Sequence, residues 1–401
     1  MKPHFSYSPK PVLTAQPDCP WADTMVLNPA ILAVPGSSDL LMLFRATGPW
    51  PQKQLEGYPM PYPIFLGYAV SHDNGVTWEP DFSRPALSPA LEYEAEGIFT
   101  TNLYGERVPN YANGCIEDPR LFMMEGEVYM TAACRMFPPG TYWVKDVPEQ
   151  CVPEWGLRKD NPFGRAAWGN VSVSVLYKVN IEELQAHAYE KAFTFVTHLT
   201  DPERGENRDV FLFPEKMNIF GKQQYIGLHR PWETHWFTDD PDVKQVSIFL
   251  SSADALVDFP GPRARHTLLA ERTFPWEAER VGGSWPPIKI SKDEWLFGYH
   301  GKQDAAVGYS QSFMILRKED EGFPKIIHRC SERLMYPQQP WELNGRFKTP
   351  CLFTCAGIVV NGELIMSYGA ADEKIGIARV NFEELVNYVR LFDHKGNKTR
   401  D

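Results

Sequence analysis

Residues 126 to 135 read GEVYMTAACR, in which a glycine turn leads into a mostly apolar strand that ends on an arginine. The same form, with a small or charged turn, recurs as SDLLMLFRAT at 38–47, GKQQYIGLHR at 221–230, KDEWLFGYHG at 292–301 and GELIMSYGAAD at 362–372. Copies of one strand at intervals of about 70 to 95 residues are typical of a propeller whose blades each contain several strands. Five copies therefore predict five blades.

The segments between these copies supply further strands. Residues 65–81, FLGYAVSHDNGVTWEPD, predict a hairpin because Asn74-Gly75 is a strong turn signal, and residues 171–179 and 246–252 alternate as strands do. Helix is limited to segments near 179–193 and 380–392, which begin with Asn180 and Asn381 as N-caps and have a glutamate three residues on. Because no linker divides the chain, we expect residues 1–401 to form a single all-β domain. We predict a five-bladed β-propeller with a few short peripheral helices.

Composition and charge exclude several classes of partner. The net charge is −11 and no basic block occurs, which argues against nucleic acid or an anionic membrane as a partner. No apolar run is long enough to span a bilayer, and the N-terminus lacks a secretory signal, so we expect a cytoplasmic protein. Seven cysteines without a CxxC pair predict reduced, buried thiols and no metal site.

The repeated strands share an unusual polar end. These ends carry Arg45, Arg135, His229, Arg230, His300, Tyr368 and Asp372. A solvated strand edge would explain any one of them, but five alike favour a common pocket. Because equivalent strands of a propeller face its central axis, we expect these side chains to converge there and to bind an anion.

The remaining chemistry points to carbohydrate cleavage. The sequence has no GxSxG elbow, Gly-rich phosphate loop, HExxH motif or EF-hand loop, which leaves carboxylates beside basic and aromatic residues. Cleaving a glycosidic bond needs an acid for the leaving oxygen and an attacking group at the anomeric carbon. If phosphate attacks, one acid suffices and cations replace the second carboxylate. The Arg, Lys and His residues favour phosphate, instead of a water activated by a second carboxylate, as the attacking group.

The stretch NGCIEDPRLF at 113–122 places two adjacent carboxylates at the entrance to an apolar strand, where they form either a turn or a site. Glu117 and Asp118 precede Pro119, which cannot donate to a β-ladder and so predicts an interruption at the strand entrance. Such an interruption would direct Asp118 into the central pocket while Leu121 and Phe122 return to the core. We expect Glu117 to position its surroundings, and Arg120 to brace one of the two carboxylates.

Several blocks together identify a family. They are LNPAI at 27–31, FRATG at 44–48, GYAVSHDNGVTW at 67–78, IEDPRLF at 116–122, LFPEKM at 212–217, LHRP at 228–231, GGSWPPI at 282–288, GYHGK at 298–302 and YGAADEKIGIA at 368–378. In this order the chain resembles glycoside hydrolase family 130, the mannoside phosphorylases and related mannosidases. The resemblance implies a five-bladed propeller and inverting phosphorolysis of β-mannosides, of the mannooligosaccharide or mannosyl-glucose type. The product would be α-mannose 1-phosphate, with inorganic phosphate as co-substrate and no cofactor.

The resemblance also implies residue roles. Asp118 would be the general acid, its proton passing through a hydroxyl of the bound mannose. The implied substrate-binding residues are Asn28, Arg45, Asp372, Tyr299 and Trp285, and the implied phosphate-binding residues are Lys216, His229, Arg230, His300, Arg135 and Arg165. A homo-oligomer is a further implication of the family.

Two other functions stay open at this point. Family members that hydrolyse use a carboxylate to activate water, and Glu233 and Glu279 are the candidates for such a base. A sugar-binding propeller without activity is the third possibility, which the retained acid disfavours. The linkage (β-1,4, β-1,2 or β-1,3) and the acceptor sugar depend on loops, chiefly 46–64 and 137–168, whose shapes the sequence does not reveal.

Overall fold

The computed structural model describes residues 1–48, 62–139, 152–345 and 349–399. In this part of the chain the strands are β1 (Ser6–Tyr7), β2 (Met25–Ala33), β3 (Leu40–Thr47), β4 (Phe65–Ser71), β5 (Glu79–Asp81), β6 (Phe99–Thr101), β7 (Arg107–Pro109), β8 (Cys115–Met124), β9 (Glu127–Arg135), β10 (Val173–Val179), β11 (Phe193–His198), β12 (Asn207–Leu212), β13 (Met217–Ile219), β14 (Lys222–Pro231), β15 (Ile248–Ala253), β16 (Arg265–Ala270), β17 (Arg280–Gly283), β18 (Ile288–Lys289), β19 (Glu294–Lys302), β20 (Tyr309–Arg317), β21 (Lys325–Arg329), β22 (Leu352–Val360), β23 (Glu363–Ala370) and β24 (Lys374–Asn381).

The helices are short. They are α1 (Arg165–Trp168), α2 (Ile181–Gln185), α3 (Tyr189–Ala192), α4 (Pro340–Leu343) and α5 (Phe382–Val389), with 3₁₀ turns at Ala95–Gly97, Pro202–Arg204, Thr234–Trp236, Leu256–Asp258 and Pro275–Glu277. The predicted N-caps are confirmed, because the side chains of Asn180 and Asn381 accept from the backbone N–H groups of Glu183 and Glu384. In the described residues no helix has the length and apolar character that crossing a membrane requires.

Five antiparallel sheets form the blades of a propeller. Their strand orders are β2-β3-β4-β5, β8-β9-β10-β11, β12-β14-β15-β16, β17-β19-β20-β21 and β22-β23-β24-β1, and β13 and β18 add to the third and fourth sheets. The last sheet joins the two ends of the chain, because Ser6 of β1 pairs with Arg379 of β24. The core fills the space between sheets, as where the rings of Phe211 and Phe297 lie 6.2 Å apart. The predicted five-bladed all-β fold is confirmed.

The repeated sequence is the second strand of each blade, β3, β9, β14, β19 and β23. The strand before it is innermost, since β2 contacts β8 and β22 of other sheets and β12 contacts β17. The expectation that the repeated strands themselves face the axis was therefore wrong. The chain enters each blade at the axis and moves outward, so a turn such as that at Gly126 follows the innermost strand. Antiparallel pairing still brings the polar end of each second strand beside the start of an innermost one, as Arg45 pairs with Leu27.

Three innermost strands carry the same bulge near their starts. In β2, β8 and β12 the register slips by one residue at Asn28, Asp118 and Asp209, whose φ angles are 46°, 51° and 54°. Asn and Asp tolerate this left-handed backbone better than other side chains. An extra residue in one strand bends it and redirects a side chain. The bulge at Asp118-Pro119 is the predicted interruption, and Leu121 beyond it is buried in the core.

Candidate active site

A cavity of about 480 Å³ lies where the starts of the innermost strands meet. Its walls are formed by Met25, Leu27, Asn28, Arg45, Asp118, Glu206, Arg208, Asp209, Arg230, Trp232, Arg280, His300, Tyr309, Cys351, Phe353 and Asp372. The charged groups come from every blade of the propeller. Trp232, Tyr309 and Phe353 add flat apolar faces of the kind that pack on sugar rings.

Asp118 is oriented through both its side chain and its backbone. Asn28 Nδ2 donates to Asp118 Oδ1 at 2.8 Å, and Arg45 Nη1 donates to the same oxygen at 3.1 Å. Arg120 Nη1 donates to the backbone carbonyl of Asp118 at 3.0 Å. Arg120 thus braces the backbone of the bulge that carries Asp118, and its carboxylate partner is Asp209 instead of the predicted Glu117 or Asp118.

Glu117 points away from the cavity into a cluster of arginines. Its carboxylate lies 2.9 Å from Arg45 Nη1 and 3.6 Å from both Arg135 Nε and Arg208 Nη2, and the residue is 3% exposed. Burial alone would raise the pKa of Glu117, but Arg45, Arg208 and Arg135 hold it below its usual value. Glu117 is a charged group that fixes three guanidinium groups.

Asp209 is the second buried carboxylate of the site. Arg120 Nη2 donates to its Oδ1 at 2.9 Å, Arg230 Nε donates to its Oδ2 at 2.5 Å, and His300 Nε2 lies 3.4 Å from Oδ2. Burial would raise the pKa of Asp209, but Arg230, His300 and Arg120 lower it well below its usual value. A Cβ on Gly282 would lie 2.4 Å from Asp209 Oδ2, so only glycine fits there.

Arg280 and Tyr309 form a different kind of pair on the cavity wall. Arg280 Nη1 donates to the Tyr309 hydroxyl at 3.2 Å. Over the described ranges no carboxylate lies within ion-pair distance of Arg280, whereas Arg45 has two and Arg230 has one. Burial raises the pKa of Tyr309 to about 12, so its hydroxyl stays protonated at neutral pH. This part of the cavity can therefore hold an anion.

Six of the residues singled out in the sequence lie on the cavity wall. They are Asn28, Arg45, Asp118, Arg230, His300 and Asp372. Asp372 accepts from the Cys351 thiol at 3.4 Å, and burial raises its pKa. Burial lowers the pKa of His300, and the neighbouring Asp209 carboxylate only partly offsets this effect.

His229 lies outside this set because neighbouring residues of a strand point to opposite faces. Arg230 faces the cavity, so His229 faces the other way, where its Nδ1 lies 3.1 Å from Asn207 Nδ2 and its Nε2 lies 3.3 Å from His266 Nδ1. Burial holds the pKa of His229 well below its usual value, which keeps the ring neutral. The placement does not support a phosphate ligand here.

The same alternation separates Tyr299 from His300. Tyr299 is fully buried and its hydroxyl donates to the Cys330 carbonyl at 3.1 Å. Trp285 is also fully buried, packed on Phe313 at 5.9 Å, where a Cβ on Gly298 would clash with it. Both side chains belong to the core instead of the sugar site. Tyr368, another strand-end residue, likewise points away from the cavity and donates to Glu342 at 2.7 Å.

Lys216 lies at the far end of its blade. It follows β12, which starts at the cavity and runs away from it, so the Lys216 ammonium reaches Glu125 at 2.9 Å in the turn after β8. Its Nζ also lies 4.2 Å from the centre of the Tyr225 ring. The predicted contact between Lys216 and phosphate is not supported by this position.

The remaining candidates, Arg135, Arg165, Glu233 and Glu279, form ion pairs and are not among the described residues that line the cavity. Arg135 lies 3.0 Å from Glu206, Arg165 lies 2.7 Å from Glu233, and Glu279 lies 2.8 Å from Lys302. The predicted acceptor loops, 46–64 and 137–168, fall partly outside the described residues.

Sequence reasoning missed Glu206, Arg208, Asp209 and Arg280. Asp209 had a usable signal, because LNP, EDP and RDV occupy the same bulge in three innermost strands. Arg208 and Glu206 are next to that bulge. Arg208 Nε donates to Glu206 Oε1 at 2.7 Å. Burial would raise the pKa of Glu206, but Arg208 and Arg135 lower it to about 2. Glu206 is thus a poor base.

The chain matches known proteins over most of its length. A model of glycoside hydrolase family 130, described as beta-1,4-mannooligosaccharide phosphorylase, matches residues 182–391. The 1,2-beta-oligomannan phosphorylase of Thermoanaerobacter sp. (strain X514) is 26% identical over 94% of this chain and 97% of its own. The beta-1,2-mannobiose phosphorylase of the same organism is 25% identical over 94% of this chain and 97% of its own.

A solved structure shares the fold. The beta-1,2-mannobiose phosphorylase from Listeria innocua, in complex with beta-1,2-mannobiose, has a TM-score of 0.65 and 17% identity over 97% of this chain and 99% of its own. With the matched family model covering more than half of the chain, the protein belongs to glycoside hydrolase family 130.

Proposed function

We propose that this protein catalyses the inverting phosphorolysis of β-mannosides to α-mannose 1-phosphate and a shortened acceptor. The observation that carries the proposal is Arg280, a cation on the cavity wall whose charge no carboxylate of the described residues neutralises. Together with Tyr309 and Arg230 it forms a set of donors that suits a phosphate ion, and His300 lies behind them against Asp209. The full-length relatives named as phosphorylases support the same reaction.

In the proposed reaction, Asp118 supplies the only proton that the leaving group requires. An oxygen of phosphate forms a bond to the anomeric carbon while the bond from that carbon to the bridging oxygen breaks. The bridging oxygen keeps the electron pair and takes up the proton that originates on Asp118. Asn28 and Arg45 fix the Asp118 carboxyl and, with Asp372, form the proposed mannose subsite.

The hydrolytic alternative finds less support in the geometry. Glu233 is paired with Arg165 and Glu279 with Lys302, and neither is among the residues that line the cavity. The pKa of Glu233 lies below its usual value because Arg165 donates to it, which weakens it as a base. We therefore assign the attacking role to phosphate.

The direct test is synthesis in reverse. The protein is incubated with α-mannose 1-phosphate and mannose, glucose, N-acetylglucosamine, β-1,2-mannobiose or β-1,4-mannobiose, and phosphate release and product linkage are measured. We expect release with at least one acceptor, and the linkage of the product identifies the substrate. Silence with all acceptors, together with cleavage of mannosides in phosphate-free buffer, would overturn the proposal.

Arg280→Gln is expected to raise KM for phosphate at least about tenfold, because a charge-assisted hydrogen bond contributes roughly 1.5–3 kcal/mol. Initial rates are measured against phosphate at saturating mannoside. The control is Lys216→Gln, which removes a surface cation paired with Glu125 and should leave that KM unchanged. If the two variants had the same KM as the wild type, Arg280 would not hold phosphate.

A further inference from the structure

Asp209 joins side chains from three blades. Asp209 itself belongs to β12, and its two carboxylate oxygens contact Arg120 of β8, Arg230 of β14 and His300 of β19. Asp209 is 4% exposed, and its Oδ2 packs so closely on Gly282 of β17 that a Cβ there would lie 2.4 Å from it. Its position is therefore fixed relative to three neighbours that serve different parts of the cavity.

One of these neighbours leads to the general acid. The Arg120 guanidinium donates to Asp209 Oδ1, to the Asp118 backbone carbonyl at 3.0 Å and to the Ser284 carbonyl at 3.1 Å. Asp118 sits in the left-handed region, with φ of 51°, so its backbone depends on such bracing. Because Arg120 is buried, loss of its carboxylate partner would leave the guanidinium uncompensated beside the acid.

The other neighbour leads to the proposed phosphate subsite. Asp209 Oδ2 accepts from Nε of Arg230, which leaves both terminal nitrogens of that guanidinium to other partners. His300 lies against the same oxygen, and Arg230 and His300 both line the cavity. The Asp209 carboxylate thus sets the direction from which Arg230 reaches an anion.

The geometry points to Asp209 as a positioning residue that aligns the general acid with the phosphate subsite, through Arg120 on one side and Arg230 on the other. This inference rests on the proposed phosphorolysis. Asp209 transfers no proton and forms no covalent bond in it. Its effect is to hold the two reacting partners in one geometry, on which the rate of a two-substrate reaction depends strongly.

The test compares Asp209→Asn with Glu277→Gln. Asparagine keeps the size of the side chain and removes its charge. Glu277 is a matched control because it is also buried and its carboxylate accepts from an arginine, Arg329, at 2.8 Å, but it lies outside the cavity lining. For Asp209→Asn we expect KM for phosphate to rise and kcat to fall, each at least about tenfold. For Glu277→Gln, assayed well below its unfolding temperature, both constants should match the wild type.

A purely structural role predicts something else. If Asp209→Asn only reduced the folded fraction, apparent kcat would fall while KM for phosphate stayed unchanged, and that result would overturn the inference.

A double variant with Arg230→Lys adds a second check. Because Asp209 acts through Arg230, the increase in KM for phosphate in the double variant should be smaller than the product of the increases in the two single variants. A fully multiplicative result also counts against the inference. Wild-type protein that cleaved mannosides without phosphate would instead remove the proposed function itself.

Discussion

Asp118→Asn is expected to lower kcat for phosphorolysis by about 10²- to 10⁴-fold, the usual contribution of a general acid. The asparagine oxygen can still accept from Asn28 and Arg45, so the fold and the sugar site stay intact. What the variant lacks is the proton for the leaving oxygen. The measurement is initial rate at saturating phosphate and mannoside, with sugar binding followed separately by calorimetry.

The dependence on leaving group distinguishes an acid from a residue that only binds sugar. A 4-nitrophenyl β-mannoside leaves as a stable anion and needs little protonation, so Asp118→Asn should lose much less activity on it than on a mannobiose. Asp254→Asn, on an exposed carboxylate that pairs with Lys222, serves as the control and should match the wild type on both substrates. Equal losses on both substrates, or full turnover by Asp118→Asn, would reject the acid assignment.

The sequence predicted the fold because a propeller repeats its strands, and repetition is visible without knowing any contact. The sequence led to the wrong strand as the innermost one of each blade. The order of strands within a blade depends on which strands pair, and the local sequence pattern does not contain that information. The same gap explains why His229 and Tyr299, both predicted as site residues, do not line the cavity. Each adjoins a residue that faces the cavity, and only the register tells which of two neighbours points inward.

The missing parts of the site have a common physical cause. Arg208 and Arg280 fall outside the sequence blocks quoted above, and their contacts join residues that are distant along the chain, since Arg208 reaches Glu117 of β8 and Arg280 reaches Tyr309 of β20. Asp118, in contrast, was predictable because Pro119 breaks the ladder next to it. Local backbone chemistry could be deduced from the sequence, whereas the distribution of charge around the axis required all five blades together.

The Glu117→Gln variant is expected to lose about 3–5 kcal/mol of unfolding free energy at pH 7, the usual cost of breaking a buried ion pair by removing one partner. Arg45, Arg135 and Arg208 surround this carboxylate from three different strands, so glutamine would leave their charges without a central counterion. Urea unfolding at pH 7 measures the effect. Glu363→Gln is the control, since its exposed pair with Arg379 at 3.5 Å should change stability by less than about 0.5 kcal/mol.

The pH dependence of this difference follows from the direction of the pKa shift. The pKa of Glu117 is lower in the folded protein than in the unfolded chain, where it is about 4.3. Its charge therefore stabilises the fold at every pH above that value, and the contribution disappears as the pH falls toward the folded pKa. The gap between wild type and Glu117→Gln should stay constant from pH 7 to about pH 5 and shrink below about pH 4. A gap that widened on acidification, or a variant as stable as the control at pH 7, would mean that the three arginines do not depend on Glu117.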